Sequence, residues 1–580
     1  MNCSRQPETL PDSDVCAPAT LCKVASALLL AFATSGCSDS SDRLTSFPEA
    51  VAAPLYEVEG TDYYFPGTDI EALRASDIPQ SCFWRPWYAG NAFAYSRTVP
   101  LGSGNNPETW VTYTPAKFKL PAGATLVMQG EYPHNRYMSI DTYAGPFPLD
   151  SIAGDDIEPD AGSTNPYRIG ADRSATERSF TLRLVDEAKP ASPPVNTLYL
   201  GSDDPELSIF DRASELRHRS YLPDRGRDVM GDVDLPELVA LELVDGTVIE
   251  EEKEICARIN LNSTNGDLTE TAVPLEFHNA LIAMAPEPER APAQEVPRWE
   301  RFFSLPYSYV GSFLLPTFED FRKQIPVGGA AGGGGDLAGT QANAYLFLML
   351  SHETPERKIA VSRVKLPNTP KTFDGQETLE SAGGELQAKY WSICSNVDVA
   401  GNGLTEEGFP TGVRQGMCHN DETVVLNEQR YTRIVHSLPE DRPWNAVNEC
   451  GWSWLSSGKV DNLGRPVTQI LLRPALDGEP DFAENSTNVT SPGMERSVMG
   501  DYLPVTEYMS REEFEALECN TDGYMQPELR PDLPAPVWGT DNTIKPAYPK
   551  FKREPGEAYD FPPAPGGFLS VFDALRELNQ

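Results

Sequence analysis

From residue 61 onward, apolar positions fall in short runs of alternating or β-branched and aromatic residues, separated by clusters of Pro, Gly, Asn and Asp. Examples are Thr125-Leu126-Val127-Met128, the run at residues 180–185, Thr197-Leu198-Tyr199-Leu200 and the run at residues 344–350. A period of two bounded by turn residues is the signature of a half-buried strand, and sustained 3.6-residue periodicity is scarce. The pattern predicts a mainly β protein built of antiparallel β-sandwiches. Helical signals gather at the C-terminal end. Ser510 and Glu513 form a capping box that opens a short helix through Phe514 and Leu517. Phe568, Val571, Phe572, Leu575 and Leu578 recur at helical spacing and predict a terminal amphipathic helix docked on the body.

Comparing the chain with itself exposes a repeat. Residues 117–121 (KFKLP) resemble 363–367 (RVKLP), and 136–140 (RYMSI) resemble 389–393 (KYWSI). The series continues with Phe180 aligned on Tyr431, and with 219–223 (RSYLP) facing 471–474 (LLRP). Tyr137 to Phe180 spans 43 positions and Tyr390 to Tyr431 spans 41, and the next interval is 41 in both halves. Matches in one order at near-equal spacing predict two tandem, homologous antiparallel β-sandwich domains. Each would use its Tyr-x-Ser-Ile segment as a core strand with alternate side chains facing in. The expected domain map is a leader at 1–37, a flexible tether at 38–60, a first sandwich at 61–284, a Pro-rich linker at 285–298, a second sandwich at 299–524, and a Pro-rich tail with the terminal helix at 525–580.

The leader reads as an address rather than a fold. Lys23 precedes an apolar run at residues 24–33, too short to span a bilayer, which closes on Thr34-Ser35-Gly36-Cys37. Small residues ending in Gly-Cys, followed by Ser38-Asp39-Ser40-Ser41-Asp42, resemble the lipobox of bacterial lipoproteins. The resemblance implies cleavage before Cys37, acylation of Cys37, and attachment to a membrane through two or three chains. It departs from the usual pattern at Thr34, where leucine is common, and in the polar residues ahead of Lys23. Ser38 after the cysteine implies the outer membrane, facing periplasm or exterior.

Charge narrows the partners. Loss of residues 1–37 would remove Arg5 and Lys23 from 47 basic residues and Glu8, Asp12 and Asp14 from 86 acidic ones, leaving a net charge of about −38. Such a surface repels phosphate backbones, so nucleic acid is excluded as a partner. Six cysteines follow Cys37: Cys82, Cys256, Cys394, Cys418, Cys450 and Cys519. None forms a C-x-x-C pair, and an even count in an exported chain points to disulfides with 15 possible pairings. Cys394–Cys418, tying the ends of one polar loop, is the first expectation; buried free thiols are the alternative.

Candidate chemistry is sparse. The glycine run near residues 332–339 precedes a strand rather than opening a helix, so it is no phosphate loop. His352-Glu353-Thr354-Pro355-Glu356 lacks the second histidine of a zinc-protease helix. No metal cofactor is called for, except for a calcium ion held by Asp150, Asp155, Asp156, Glu158 and Asp160, whose oxygens are of the kind calcium prefers. Aromatic residues beside polar ones suggest a carbohydrate platform at Trp84, Trp87 and Tyr88, or at Trp444, Trp452 and Trp454, with core packing as the competing reading.

Segments 223–236 (PDRGRDVMGDVDLP), 388–396 (AKYWSICSN) and 499–517 (MGDYLPVTEYMSREEFEAL) resemble a widespread uncharacterised family of exported bacterial β-rich proteins. That resemblance covers most of residues 80–520 and implies export and a shared β fold, without a mechanism. The leading expectation is a membrane-anchored protein that binds a ligand, a carbohydrate or another envelope component. The rival is an extracytoplasmic hydrolase or lyase using carboxylates, with Tyr137 or His134, in a groove between the two sandwiches. A purely structural envelope protein stands third.

Overall fold

The structure, a computed structural model, describes residues 82–84, 110–144, 147–201, 214–228, 230–259, 297–303, 340, 342–351, 354–376, 379, 384–396, 417–457 and 467–519. The leader with Cys37, the tether, Trp87, Tyr88, most of the 285–298 linker, the glycine run and the Pro-rich tail with its terminal helix lie outside these residues.

Alternating side chains build the first sandwich from two sheets. One sheet has the order β1 (Val111–Phe118), β7 (Ser214–Pro223), β3 (Asn135–Ala144), β4 (Phe147–Ala153). The other runs β6 (Thr197–Tyr199), β5 (Ser179–Val185), β2 (Thr125–Glu131), β8 (Glu237–Glu242), β9 (Val248–Ile249). On β5 burial alternates strictly, with Phe180, Leu182 and Leu184 turned inward. They meet Met138, Ile140 and Leu216 of the facing sheet in one apolar core, which also takes in Phe83 and Trp84. Helix α1 (Glu252–Ile259) covers the edge of this core with Ile255, Cys256 and Ile259.

The second sandwich repeats the design. Its sheets run β10 (Glu300–Arg301), β11 (Leu346–Ser351), β17 (Val467–Leu476), β13 (Tyr390–Asn396), β14 (Met417–Asn420), and β16 (Ser453–Ser456), β15 (Tyr431–Ser437), β12 (Ile359–Lys365), β18 (Val505–Met509). Apart from the added edge strands β9 and β10, both sheet orders match those of the first unit strand for strand. The match extends to the parallel pairs β5–β6 and β15–β16, in sheets that are otherwise antiparallel. Two short helices, α2 (Glu495–Met499) and α3 (Arg511–Glu515), flank β18; Ser510 and Glu513 cap α3 reciprocally.

Register shows which sequence matches were true. Ser139 faces Arg219 and Ser392 faces Arg473, so the Tyr-x-Ser-Ile segments and the two arginines occupy equivalent places. Two matches need correction. Residues 117–121 leave β1 whereas 363–367 leave β12, whose counterpart is β2. Tyr431 is equivalent to Ser179 rather than Phe180, because Glu131–Ser179 and Lys365–Tyr431 end the paired ladders. A slip of one position reverses every side chain of a strand, and composition alone does not sense it.

The Tyr-x-Ser-Ile strands differ from the expected half-buried kind in one respect. Met138 and Ile140 face their own sandwich core, while Tyr137 lies in a separate cluster with Trp110, Tyr221, Phe373, Tyr390 and Leu476. That cluster joins sheet β1-β7-β3-β4 to sheet β10-β11-β17-β13-β14, so the sandwiches stack face to face and both sides of β3 and β13 are buried. The sheet faces that the hairpin pattern would leave to water are instead closed by the other repeat.

Three disulfides link Cys82–Cys256, Cys394–Cys418 and Cys450–Cys519. Cys394 and Cys418 stand directly opposite on β13 and β14, closing a 24-residue separation. Replacing Cys418 with serine is expected to lower unfolding stability by about 3 kcal/mol on the chain-entropy estimate. The urea midpoint reads this, and an unchanged midpoint contradicts it.

Candidate functional site

A cavity of about 820 Å³ opens at one end of the second sandwich. Its walls are the segment leaving β12, the approach to β13, the turn between β14 and β15, and Tyr502 before β18. The chain runs this way because Pro367 ends the β12 ladder and Asn427 folds the 427–430 turn. The Asn427 side-chain oxygen accepts from the backbone N–H of Gln429 at 3.0 Å and of Tyr431 at 2.8 Å. Arg430 completes the turn in the left-handed region, with φ of 65°. Its guanidinium donates to the Pro367 carbonyl at 2.7 Å and to Thr369 Oγ1 at 3.3 Å.

Five amide side chains line the space: Asn368, Gln376, Gln387, Asn427 and Gln429. Gln387 Oε1 accepts from the Asn368 backbone N–H at 2.9 Å, and its amide nitrogen donates to the Tyr502 hydroxyl at 3.2 Å. Tyr502 also carries Lys365 over its ring at 5.3 Å and packs edge-on against Phe482.

The carboxylates of the floor are held from the other repeat. Arg136 of β3, fully buried, reaches across the contact and donates to Asp421 Oδ2 at 2.5 Å, to a Glu422 carboxylate oxygen, and to Thr372 Oγ1 at 3.1 Å. Asp421 in turn accepts from Thr369 Oγ1 at 2.7 Å and from the Trp391 N–H at 3.2 Å. Glu422 Oε1 accepts from the backbone N–H groups of Thr372 and Phe373 at 2.8 and 3.1 Å. The two carboxylates thus shape the 369–373 wall, and the charge that holds them comes from the other sandwich.

The contact contains a second, reciprocal crossing. Ala153 faces Ser139 and Asn420 faces Ser392, so Asp155 and Glu422 are equivalent, as are Arg136 and Lys389. Lys389 of the second repeat binds Asp155 of the first at 2.7 Å, and also Glu479 at 3.4 Å. Each repeat therefore inserts one base into the acidic turn of its partner. Asp477 sits beside this second crossing, with its carboxyl raised to about 7 by burial and then by Asp155. Burial alone would depress Lys389, but Asp155 and the surrounding acids hold it above its ordinary value.

The expected platform residues divide. Trp84, Trp452 and Trp454 are buried and do not form a sugar-facing surface. Trp84 Nε1 donates to the Pro236 carbonyl at 2.7 Å, Trp452 lies under Arg433 at 3.9 Å, and Trp454 Nε1 donates to Ser437 Oγ at 2.8 Å. Trp444 alone of the described candidates is exposed, at 59%. The calcium candidates are also dispersed rather than convergent. Lys189 takes Asp150, Lys389 takes Asp155, Arg168 takes Glu158, and the Gln129 amide donates to Asp160 at 3.3 Å, while Asp156 is raised by burial and Asp155. Among the described residues no three His, Cys, Asp or Glu side chains are grouped to hold a metal.

The two groups considered for catalysis are differently placed. His134 lies against Arg178, and burial with that cation lowers it to about 4, leaving a neutral ring at neutral pH. Tyr137 is packed with Tyr221 and Tyr390 in the aromatic cluster between the sandwiches.

Sequence reasoning missed the cavity because its walls are loops of ordinary polar composition. One usable signal was overlooked: Met230-Gly231-Asp232 and Leu235-Pro236 before β8 recur as Met499-Gly500-Asp501 and Leu503-Pro504 before β18. In the second copy this turn presents Tyr502 to the cavity, and Asp501 accepts from the Tyr431 hydroxyl at 2.6 Å.

No family model and no curated protein matches the chain. Among solved structures it is similar to an uncharacterized protein from Burkholderia cenocepacia, at 12% identity and a TM-score of 0.37, with 85% of this chain and 97% of that chain covered. It is also similar to a protein from Vibrio parahaemolyticus, at 8% identity and a TM-score of 0.30, with 73% of this chain and 97% of that chain covered. Likenesses of this size carry no functional inference.

Proposed function

We propose that the protein is an extracytoplasmic, lipid-anchored binding protein, tethered at Cys37, that holds a small hydroxyl-rich ligand in the polar cavity of its second sandwich. The observation that carries this reading is the cavity itself. It has the size of a small-molecule site, and amide groups from two separate connections, β12–β13 and β14–β15, converge on it. Amides supply donors and acceptors side by side, which suits sugar hydroxyls. The Arg136 crossing favours binding over acid–base chemistry, because Asp421 and Glu422 are committed to fixed hydrogen bonds. The anchor would place the site in the envelope, where glycans are the abundant solutes.

Full-length protein extracted from membranes in detergent provides the test. Intact mass should report a chain beginning at Cys37 and carrying acyl groups, and an unacylated chain retaining residues 1–36 refutes the anchor. Titration calorimetry with envelope-derived oligosaccharides should register binding. Gln429→Trp, which fills the mouth from an exposed position, should weaken it at least about tenfold, equivalent to about 1.4 kcal/mol. Retained affinity in that variant, with unfolding unchanged, removes the cavity as the site.

A further inference from the structure

The charge balance around the cavity identifies its ligand more closely. The whole chain carries 47 basic residues against 86 acidic ones, so cations are scarce. Lys365, Lys371 and Arg430 nevertheless line this one cavity, and among the described residues none of the three lies within ion-pair distance of a carboxylate. Lys365 and Arg430 are neighbours in space, since Lys365 is paired with Tyr431 across the ladder. The carboxylates nearby are mostly taken: Asp421 and Glu422 by Arg136, and Asp374 by Arg225 at 2.9 Å. Glu428 stands exposed on the lining.

The repeat supplies a comparison within the same molecule. Arg178 is the first-sandwich equivalent of Arg430: Tyr132 N–H donates to the Arg178 carbonyl as Leu366 N–H donates to that of Arg430. Both guanidinium groups also donate to a proline carbonyl, Pro133 and Pro367. In the first repeat this arginine lies against His134, with Arg178 Nη1 at 2.8 Å from the ring Nδ1. In the second, Lys365 takes the ladder place that Glu131 holds in the first, and it lines the cavity with Lys371 and Arg430. Burial also depresses Arg430 from its ordinary value, with Asp421 only partly opposing, so an anion arriving there would meet an under-compensated guanidinium.

We infer that the ligand of this cavity is an anionic saccharide, whose carboxylate or phosphate is held by Lys365, Lys371 and Arg430 while the amides bond its hydroxyls. The inference rests on the binding reading above and specifies its ligand class. Guanidinium and ammonium groups suit either anion, so the test must separate the two sources.

Titration calorimetry on the full-length protein should use digalacturonate, glucose 6-phosphate and neutral cellobiose. At least one charged probe should bind ten times or more tightly than cellobiose, and its affinity should fall as salt rises from 50 to 500 mM. The double variant Lys365→Gln, Lys371→Gln should lose at least tenfold for that probe, a larger loss than for cellobiose. Which charged probe binds identifies carboxylate or phosphate as the anion. Arg430 is left intact in this variant because its turn depends on it. Cellobiose binding as tightly as both charged probes, or full affinity in the double variant, overturns the inference and leaves the binding reading standing. Absence of binding by all three probes overturns both.

Discussion

Replacing Arg136 with leucine is expected to destabilise the folded protein by about 3–5 kcal/mol, the cost of leaving buried charges without their partner. Asp421 and Glu422 have side chains only 1% and 13% exposed, and Arg136 gives them their charge-assisted bonds. Arg136 itself is fully buried, with its guanidinium over the Tyr390 ring in the contact that also holds Phe373 and Trp110. The loss should exceed that of a surface pair, which is typically below about 1 kcal/mol. Arg136→Lys should recover part of it, since an ammonium restores the charge without the planar fork that serves two carboxylates and Thr372 together. Urea unfolding of the two variants measures both effects. A loss below about 1 kcal/mol for leucine would show the crossing to be dispensable.

Two buried carboxyls should also make a contribution to stability that falls as the pH rises from about 4 to 7, against the opposite contribution of the neutral rings of His134 and His218, each lowered to about 4. Asp477 is raised to about 7 by burial and by Asp155, and Glu495 is raised to about 7 by burial, partly opposed by the Arg301 N–H. In that window both are protonated in the folded protein and ionised in the unfolded chain. The folded state therefore binds more protons, and its advantage, complete below the unfolded-state value, is gone once the pH passes 7. The groups around Asp477 sharpen the effect: Asp155, Asp156 and Glu479 all raise it, against the opposing charge of Lys389. For Asp477 alone the change is on the order of 3–4 kcal/mol. Asp477→Asn should flatten that part of the profile and stabilise the protein at pH 8, while Glu495→Gln reports the other part. An Asp477→Asn variant whose thermal midpoint follows the same pH profile as the unaltered protein between pH 4 and 8 contradicts this.

Much of the fold was legible along the chain because strand periodicity and turn chemistry are local. Residues 180–185 alternate in sequence and in burial alike, and Ser510 with Glu513 caps its helix as the spacing implied. The Tyr-x-Ser-Ile repeat was legible for the same reason, and it led to the pair of matching sheet orders. The slip between Phe180 and Tyr431 arose because both are aromatic, whereas ladder register depends on partners far away in sequence. The tryptophans misled because an amphipathic ring suits a buried position as well as a surface, provided its N–H finds an acceptor, as Trp84 and Trp454 do.

The amino-acid sequence by itself determined the strand class, the duplication, the acidic surface and the presence of six cysteines available for pairing. These follow from composition and short-range order. Only the tertiary structure decided that the two sandwiches stack through their sheet faces, that Arg136 and Lys389 cross that contact in opposite directions, and that a polar cavity opens at one end of the second. The crossings depend on side chains hundreds of positions apart meeting at hydrogen-bond distance, and the cavity on loops brought together by strand pairing, conditions that no local pattern encodes.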